Sequence, residues 1–259
     1  SWFIGPFLTI WGRLWEKGLP LDERVLRYTA GEDHVLDARL VEYDVRGSIA
    51  HARMLAAQDY LSKEDCDAIV EGLEKLRADH EAGAWQISLE DEDVHTALET
   101  RLTAMIGEAG GRVHLGRSRN DQVLTAVRLY LLDAADKVSK SVEGLCAALD
   151  ALAAEQGDID LPGTTHMQHA MPSSVAMWSG GFREAFGDAM AGLAAARRRC
   201  GKNPLGSAAG YGTPGLTIDR DMTTELLGFA ETQAPVTAAQ LSRGKAESGL
   251  VFELTLLMN

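Results

Sequence analysis

The sequence predicts an all-α protein, in which a mostly helical N-terminal domain is followed by part of a long-helix bundle. The strongest observation is a run of apolar residues between Leu124 and Leu152, whose spacing alternates between three and four. A period of about 3.5 residues is typical of a helix that buries one stripe in a bundle. A second apolar stripe of helical spacing runs from Val175 to Ala196, and shorter helical patterns precede the long one.

Composition limits the classes of protein that need to be considered. The chain has 259 residues, of which 46% are hydrophobic, and this is enough for a real core in one or two domains. Its net charge of −13 argues against a general affinity for nucleic acid or acidic membranes. No apolar run approaches the about 18 residues of a membrane span. Three widely spaced cysteines, Cys66, Cys146 and Cys200, predict reduced thiols in a cytoplasmic protein.

The chain divides into three parts by pattern. Residues 1–13 form an apolar, aromatic extension without the basic start of a signal peptide. Residues 14–115 form the N-terminal helical domain, and residues 116–259 form a central helix bundle that we expect to be incomplete. In the N-terminal domain we predict helices at 21–28, 33–57, 62–82 and 93–106, and a short strand at 85–87.

The central part begins with the longest helix. Its pattern covers residues 119–156, which would span about 57 Å at about 1.5 Å per residue. Ser118 and Asp121 have the spacing of a capping box at its start. The next helix, at 173–200, is predicted to be its antiparallel neighbour, starting at Ser173 or Ser174. The remaining predictions are a loop before residue 173, a second loop without helix at 203–217, a short helix at 219–227 and a helix from Ala238 to the chain end.

Residues 114–122 read His-Leu-Gly-Arg-Ser-Arg-Asn-Asp-Gln and lie at the start of the long helix. Free backbone N–H groups at a helix start favour an anion. Arg117 and Arg119 add positive charge that an acidic protein needs in order to bind a carboxylate. A polar loop with a good cap and two solvated arginines would have the same pattern, so spacing alone does not name a ligand.

This segment resembles the signature of argininosuccinate lyases, which belong to a superfamily of lyases that release fumarate. Nearly the whole chain from Leu14 onward is similar to that family, and the supporting stretches lie at residues 43–48, 92–95, 162–168 and 203–207. The resemblance implies a fold of the fumarase/aspartase type and the β-elimination of argininosuccinate to arginine and fumarate, in arginine biosynthesis. It further implies homotetramers with sites shared between subunits. We expect no cofactor and no metal.

The predicted site has one catalytic residue, His166, because a histidine can transfer a proton near neutral pH. The predicted substrate-binding residues, taken from the donors at the helix start and from the stretches that carry the resemblance, are His95, Ser118, Arg119, Asn120, Thr165 and Gln168. The long helix separates the residues at its start from those that follow its end. We therefore expect two chains to contribute to one site.

The sequence also departs from the family pattern. The family carries a flexible loop of the form Gly-Ser-Ser-x-Met-Pro-x-Lys-x-Asn, whose serine is regarded as the general base. No such string occurs here, so we expect a C-terminally truncated chain that is inactive alone. Thr164 stands where the family commonly has an aromatic residue, and the stretch at 29–31 lacks a serine that contacts substrate in many members.

Other functions are weighed against this one. His166 and His169 have the spacing of a metal pair, but no further ligands complete a zinc site. No Gly-x-Ser-x-Gly motif indicates a hydrolase. Two alternatives stay open, namely a related lyase acting on another substrate, such as adenylosuccinate, and a non-enzymatic structural relative. The Arg-Ser-Arg-Asn-Asp run favours argininosuccinate as the substrate.

Overall fold

The computed structural model describes residues 23–258, and its elements confirm the all-α prediction. The helices are α1 (Glu23–Ala30), α2 (Asp33–Leu36), α3 (Val41–Ala57), α4 (Lys63–Glu81), α5 (Val94–Ile106), α6 (Glu108–Gly111), α7 (Arg119–Gln156), α8 (Val175–Cys200), α9 (Arg220–Leu227), α10 (Val236–Leu241) and α11 (Lys245–Leu257). The strands have two residues each: β1 (Asp160–Leu161), β2 (Thr164–Thr165), β3 (Gln168–His169), β4 (Ser173–Ser174), β5 (Lys202–Asn203) and β6 (Glu231–Thr232). The predicted extension at residues 1–13 lies outside the described residues.

The first core is formed by α3, α4 and α5. Its buried side chains include Met54, Leu55, Ile69, Leu73 and Leu102, which belong to one apolar cluster. Local capping determines where α4 begins and where α5 ends. Ser62 Oγ accepts the Asp65 N–H at 3.0 Å at the start of α4, as predicted, and Gly107, with φ 72°, ends α5.

The helix expected over 33–57 has its predicted bounds, but it is divided into α2, a 3-10 turn at Asp37–Leu40 and α3. The strand prediction in this part is wrong, because residues 85–87 are irregular chain. The indole of Trp85 donates to the Leu76 carbonyl at 2.8 Å, and His80 Nδ1 lies 3.1 Å from the Trp85 carbonyl oxygen. These bonds hold the segment against α4. No neighbouring strand among the described residues is available there to pair with it, and strand-forming residue types alone do not make a strand.

The helices α7 and α8 form the long antiparallel pair that the sequence predicts. Asp136 on α7 pairs with Arg197 at 2.8 Å, and Asp150, further along α7, pairs with Arg183 at 3.2 Å. The order is antiparallel because the later residue of α7 meets the earlier residue of α8. Their shared apolar cluster also includes α11, through Leu250 and other residues.

The segment between α7 and α8 forms two nested antiparallel ladders. β1 pairs with β4, and β2 pairs with β3. The turn of the inner hairpin places His166 (φ 50°) and Met167 (φ 60°) in the left-handed region, as two-residue hairpin turns often require. The prediction of a plain loop is therefore corrected to a hairpin, which lies beyond the C-terminal end of α7.

The loop at 203–217 contains no helix, as predicted. The buried Asn203 Nδ2 donates to the hydroxyl oxygens of Thr223 and Thr224, each at 2.9 Å. The helix predicted from Ala238 to the chain end is wrong, because α10 and α11 are separate. The chain bends at Gly244, whose φ of 82° suits glycine and interrupts a helix.

A third apolar cluster joins the two halves of the chain. It contains Tyr43 and Ala50 from α3, and Ala126 and Leu129 from α7. Leu205 from the loop that follows α8, Leu227 from α9 and Phe229 complete it. The predicted division between residues 115 and 116 therefore crosses a shared core and stays a prediction. None of the helices between residues 23 and 258 is long and apolar enough to cross a membrane.

One buried arginine links α7 to the C-terminal elements. Arg128 is 0% exposed, and its Nε donates to Glu247 Oε1 at 2.6 Å. Its Nη1 donates to the Lys202 carbonyl at 2.7 Å and to Gln233 Oε1 at 2.6 Å. Buried charge of this kind is stable only when each polar group has its partner.

We predict that Arg128→Ala lowers the free energy of unfolding by about 3–5 kcal/mol, because Glu247 would be left as an uncompensated buried charge. Urea denaturation measures the change. The matched control is Arg197→Ala, which removes an exposed ion pair and should cost about 0–1 kcal/mol. Equal losses in the two variants would contradict a structural role for the buried pair.

Candidate functional site

The site is built from the first turn of α7, where the predicted capping box is present. Ser118 Oγ accepts the Asn120 N–H at 3.3 Å, and Asp121 Oδ1 accepts the Ser118 N–H at 3.0 Å. The Asn120 side-chain Nδ2 also donates to Ser118 Oγ, at 3.2 Å. Ser118 and Asn120 therefore lie side by side with fixed orientations at a helix start that favours negative charge.

The second carboxylate oxygen of Asp121 holds the loop that follows α8. Oδ2 accepts the Gly206 N–H at 3.0 Å and the Ala208 N–H at 2.8 Å. Burial raises the pKa of Asp121 even though these N–H groups and the charge of Arg117 favour the carboxylate form. Asp121 therefore serves as a structural junction between the helix start and the loop.

Arg119 is bound to acidic groups at the N-cap and within the first half of α5. Its Nη1 lies 3.0 Å from both carboxylate oxygens of Asp93 and 2.8 Å from Thr96 Oγ1. Its Nη2 lies 3.8 Å from Glu99. The guanidinium charge is thus already matched, although the side chain remains 30% exposed. Substrate binding by Arg119 stays a prediction, and this geometry favours a role in positioning the helix start.

Asn120 has a partner that the sequence analysis missed. Arg243 Nη1, in the turn between α10 and α11, donates to Asn120 Oδ1 at 2.7 Å. Because arginine can only donate, this contact fixes the amide oxygen toward Arg243 and the amide nitrogen toward Ser118. One N–H of the Asn120 amide is left for a further acceptor.

His95, predicted to bind substrate, is buried beside Asp44. Its Nδ1 lies 3.2 Å from Asp44 Oδ2, which is an ion-pair distance, although the ring N–H is not aligned for a hydrogen bond. Gln122 Nε2 donates to both oxygens of Asp44, at 2.9 and 3.1 Å. Burial opposes both charged forms, but the pair outweighs it: the pKa of His95 is raised and that of Asp44 is lowered. Contact of His95 with substrate stays a prediction.

Arg117 is neither a solvated cation nor an accessible one, although the sequence analysis considered both. It is buried, and its Nη1 donates to Ser48 Oγ at 3.0 Å. Burial lowers the pKa of Arg117, although the Asp44 charge favours the charged form. Burial and the charge of Arg117 also lower the pKa of two nearby histidines, to about 3 for His51 and about 4 for His114. The expectation that Arg117 provides local charge for a substrate is therefore corrected.

The other predicted residues lie at the opposite end of α7. Thr165, His166 and Gln168 are exposed on the inner hairpin, and Thr165 Oγ1 lies 2.9 Å from His166 Nδ1. The 38 residues of α7 span about 57 Å at about 1.5 Å per residue. Within one chain the structure therefore brings together His95, Ser118, Arg119 and Asn120, and it does not bring the hairpin residues to them.

Part of the buried network could have been found from the sequence. Asp44, Ser48 and His51 recur at intervals of four and three on α3, which places three polar side chains on one face of an otherwise apolar helix. Such a face indicates a buried polar network rather than a plain core. No local signal identifies Arg243, which lies 123 residues after its partner Asn120.

Comparison with known proteins places this chain in a family. A family profile described as "Lyase" matches residues 23–258. The chain belongs to this lyase family. Three of its curated relatives are named argininosuccinate lyase. The chain is 45% identical to the one from Sorangium cellulosum, over 92% of this chain. It is 41% identical to those from Thermotoga neapolitana and Bacteroides fragilis, over 94% and 95% of this chain.

This chain spans between half and two thirds of the length of these relatives. It covers 55% of the Sorangium protein, 61% of the Thermotoga protein and 55% of the Bacteroides protein. Among solved structures, a double variant of EDDS lyase with bound fumarate matches with a TM-score of 0.76 and 24% identity, over 93% of this chain and 47% of that one. EDDS lyase in complex with formate matches with the same TM-score. The fold of this chain is therefore that of the lyases.

The Asp44–His95 pair should make stability depend on pH in a defined direction. The pKa of His95 is raised above its ordinary value of 6.5, so its contribution is complete below that pH and is lost as the pH rises through the higher folded-state value. The pKa of Asp44 is lowered from 3.8, so its contribution is lost only as the pH falls through that lower value.

We predict that His95→Gln lowers the free energy of unfolding most between about pH 4 and 6.5, and by progressively less at alkaline pH. Urea denaturation of both proteins from about pH 4 to alkaline pH measures the difference. His169→Gln, on the exposed hairpin, is the control and should follow the unmodified chain at each pH. A loss in His95→Gln that does not vary with pH would contradict the charged pair.

Proposed function

We propose that the protein cleaves argininosuccinate into arginine and fumarate by β-elimination, as a step of arginine biosynthesis. The supporting observation is the identity of 41–45% with three proteins named argininosuccinate lyase, over more than nine tenths of this chain. The polar, capped start of α7, which presents Ser118 and Asn120, is suited to a substrate that carries carboxylates.

The reaction sets three requirements for the residues around the substrate. A base removes a proton next to a carboxylate, that carboxylate gains negative charge, and the departing guanidino nitrogen is protonated. Donors aimed at the growing charge lower the barrier. Ser118 and Asn120 provide donors at one end of α7, and Thr165 provides a hydroxyl at the other.

His166 is the proposed proton-transfer residue. Its exposure on the hairpin leaves the ring accessible to a substrate or to a bound water held against another surface. Gln168, on the paired strand, can donate to or accept from the same ligand. By resemblance to argininosuccinate lyases, the general base belongs to a serine loop that does not occur in these residues, so a protein limited to them would not turn over substrate.

Assembly follows from the distance between the two stretches. A substrate of the size of argininosuccinate cannot reach from Asn120 to His166 across the length of α7. We therefore propose a homo-oligomer, with four subunits by resemblance to the family, in which one chain contributes its helix start and another its hairpin. Exposed apolar side chains near the hairpin support such contacts, since Trp178 is 52% and Phe182 is 49% exposed.

The proposed setting is the cytoplasm, and the proposed partners are the small-molecule substrate and other copies of the chain. The net charge of −13 makes nucleic acid and acidic membrane surfaces poor partners. Assays of the complete gene product should offer argininosuccinate and adenylosuccinate in parallel. Fumarate release from argininosuccinate alone supports the proposal. Release from adenylosuccinate alone, or from neither compound, would refute it.

We predict that His166→Asn in the complete gene product lowers kcat by about 10²-fold or more, the usual scale of a positioned proton-transfer group. Fumarate absorbance follows the reaction, and circular dichroism checks the fold. The matched control is His169→Asn in the same exposed hairpin, which should retain nearly all activity. Nearly normal turnover in His166→Asn would remove this residue from the mechanism.

We also predict complementation between two inactive variants. Asn120→Ala and His166→Asn subunits, mixed, dissociated and reassembled, should recover part of the activity because some shared sites then receive neither substitution. Native mass spectrometry establishes that mixed oligomers form. If they form and fumarate release does not return, sites shared between chains are ruled out.

A further inference from the structure

Arg243 is an exposed arginine whose side chain lies beside the start of α7, and the predicted site does not include it. It lies between α10 and α11, and its Nη1 donates to Asn120 Oδ1 at 2.7 Å. An arginine has five N–H donors, and the contact with Asn120 uses one guanidinium nitrogen. The remaining donors are available to a ligand beside Asn120.

The charge of Arg243 is not matched within the described residues. It forms no ion pair anywhere between residues 23 and 258, and its one hydrogen bond goes to a neutral amide oxygen. Arg119, by contrast, is held by the carboxylates of Asp93 and Glu99. In a chain with 38 acidic and 25 basic residues, an arginine without a carboxylate partner leaves local positive charge at this point.

The turn that carries Arg243 is held from both sides. The Gly244 N–H donates to Glu247 Oε2 at 2.7 Å, and the other oxygen of Glu247 accepts from the buried Arg128. On the preceding side, Ser242 Oγ accepts from Gln233 Nε2 at 2.7 Å. The backbone on both sides of Arg243 is thus held by a buried network, and the bond to Asn120 keeps the guanidinium beside the start of α7.

We propose that Arg243 binds a carboxylate of the succinyl part of the substrate, beside the free N–H of Asn120. The planar, forked guanidinium matches a carboxylate with two parallel hydrogen bonds. Two of the three carboxylates of argininosuccinate belong to the succinyl part, and one of them gains charge during β-elimination. This assignment rests on the proposed function, and it adds Arg243 to the residues that bind the substrate.

The test compares three variants of the complete gene product. Arg243→Gln removes the charge and should raise KM for argininosuccinate by about 10- to 100-fold, the scale of a hydrogen bond to a charged group. Arg243→Lys keeps the charge without the fork and should lie between Arg243→Gln and the unmodified protein. Arg198→Gln is the matched control, because Arg198 is exposed near the end of α8 and also has no ion pair among the described residues. Its KM should not change.

Product inhibition identifies the part of the substrate that is bound. In Arg243→Gln the inhibition constant of fumarate should rise together with KM, and that of arginine should not change. Unchanged fumarate inhibition would overturn the assignment, as would weakened inhibition by arginine alone. Circular dichroism checks the fold, and if Arg243→Gln fails to fold, Arg243→Lys decides by the same two constants.

Direct binding separates this assignment from the proposed function. Calorimetry with fumarate alone requires no turnover. If the unmodified protein does not cleave argininosuccinate but binds fumarate, and Arg243→Gln abolishes binding, the carboxylate site stands and the proposed reaction fails. If cleavage occurs and Arg243→Gln has unchanged KM and fumarate affinity, the reaction stands and the role of Arg243 is refuted. Absence of both cleavage and fumarate binding refutes both.

Discussion

The carboxylate of Asp121 joins the start of the long helix to the loop that follows α8, and the candidate site is built around this junction. One oxygen closes the helix cap at Ser118, and the other holds the N–H groups of Gly206 and Ala208. A buried carboxylate is tolerated only when such donors surround it. The loop therefore has a fixed position although it contains no helix, and the orientation of Ser118 and Asn120 follows from the same bonds.

Around this junction, the arginines differ in what they can do because their partners differ. Arg117 is buried among polar side chains that include Ser48, and Arg128 is buried against Glu247. Both are structural, since removing either would leave polar groups without partners in the interior. Arg119 is held by Asp93 and joins the first turn of α7 to α5. Arg243 lacks such a partner among the described residues, and the rigid turn that carries it directs its charge toward Asn120.

The helix α7 is a rigid spacer between two groups of polar residues. It is one continuous helix of 38 residues packed against α8 and α11, so His166 lies too far from Asn120 for both to reach one substrate within one chain. A site that uses both groups has to be completed by assembly. The exposed aromatic pair of Trp178 and Phe182, whose ring centroids are 5.1 Å apart, lies at the hairpin end, where a second chain would have to pack.

Signals contained within a few residues were enough to determine much of the fold. The helix of residues 119–156, its capped start at Ser118, and the helices at 62–82, 93–106 and 173–200 depend on apolar period and on side chains about one turn away, so the sequence alone predicts them. The strand at 85–87 and the single helix from Ala238 were wrong because distant contacts and the Gly244 bend decide those segments. The helix start placed Ser118 among the site residues, and the resemblance placed Asn120 and His166 there. Only the tertiary structure paired Arg119 with Asp93, buried Arg117 and brought Arg243 to Asn120. These outcomes depend on burial and on partners far away in the sequence, which no local pattern records.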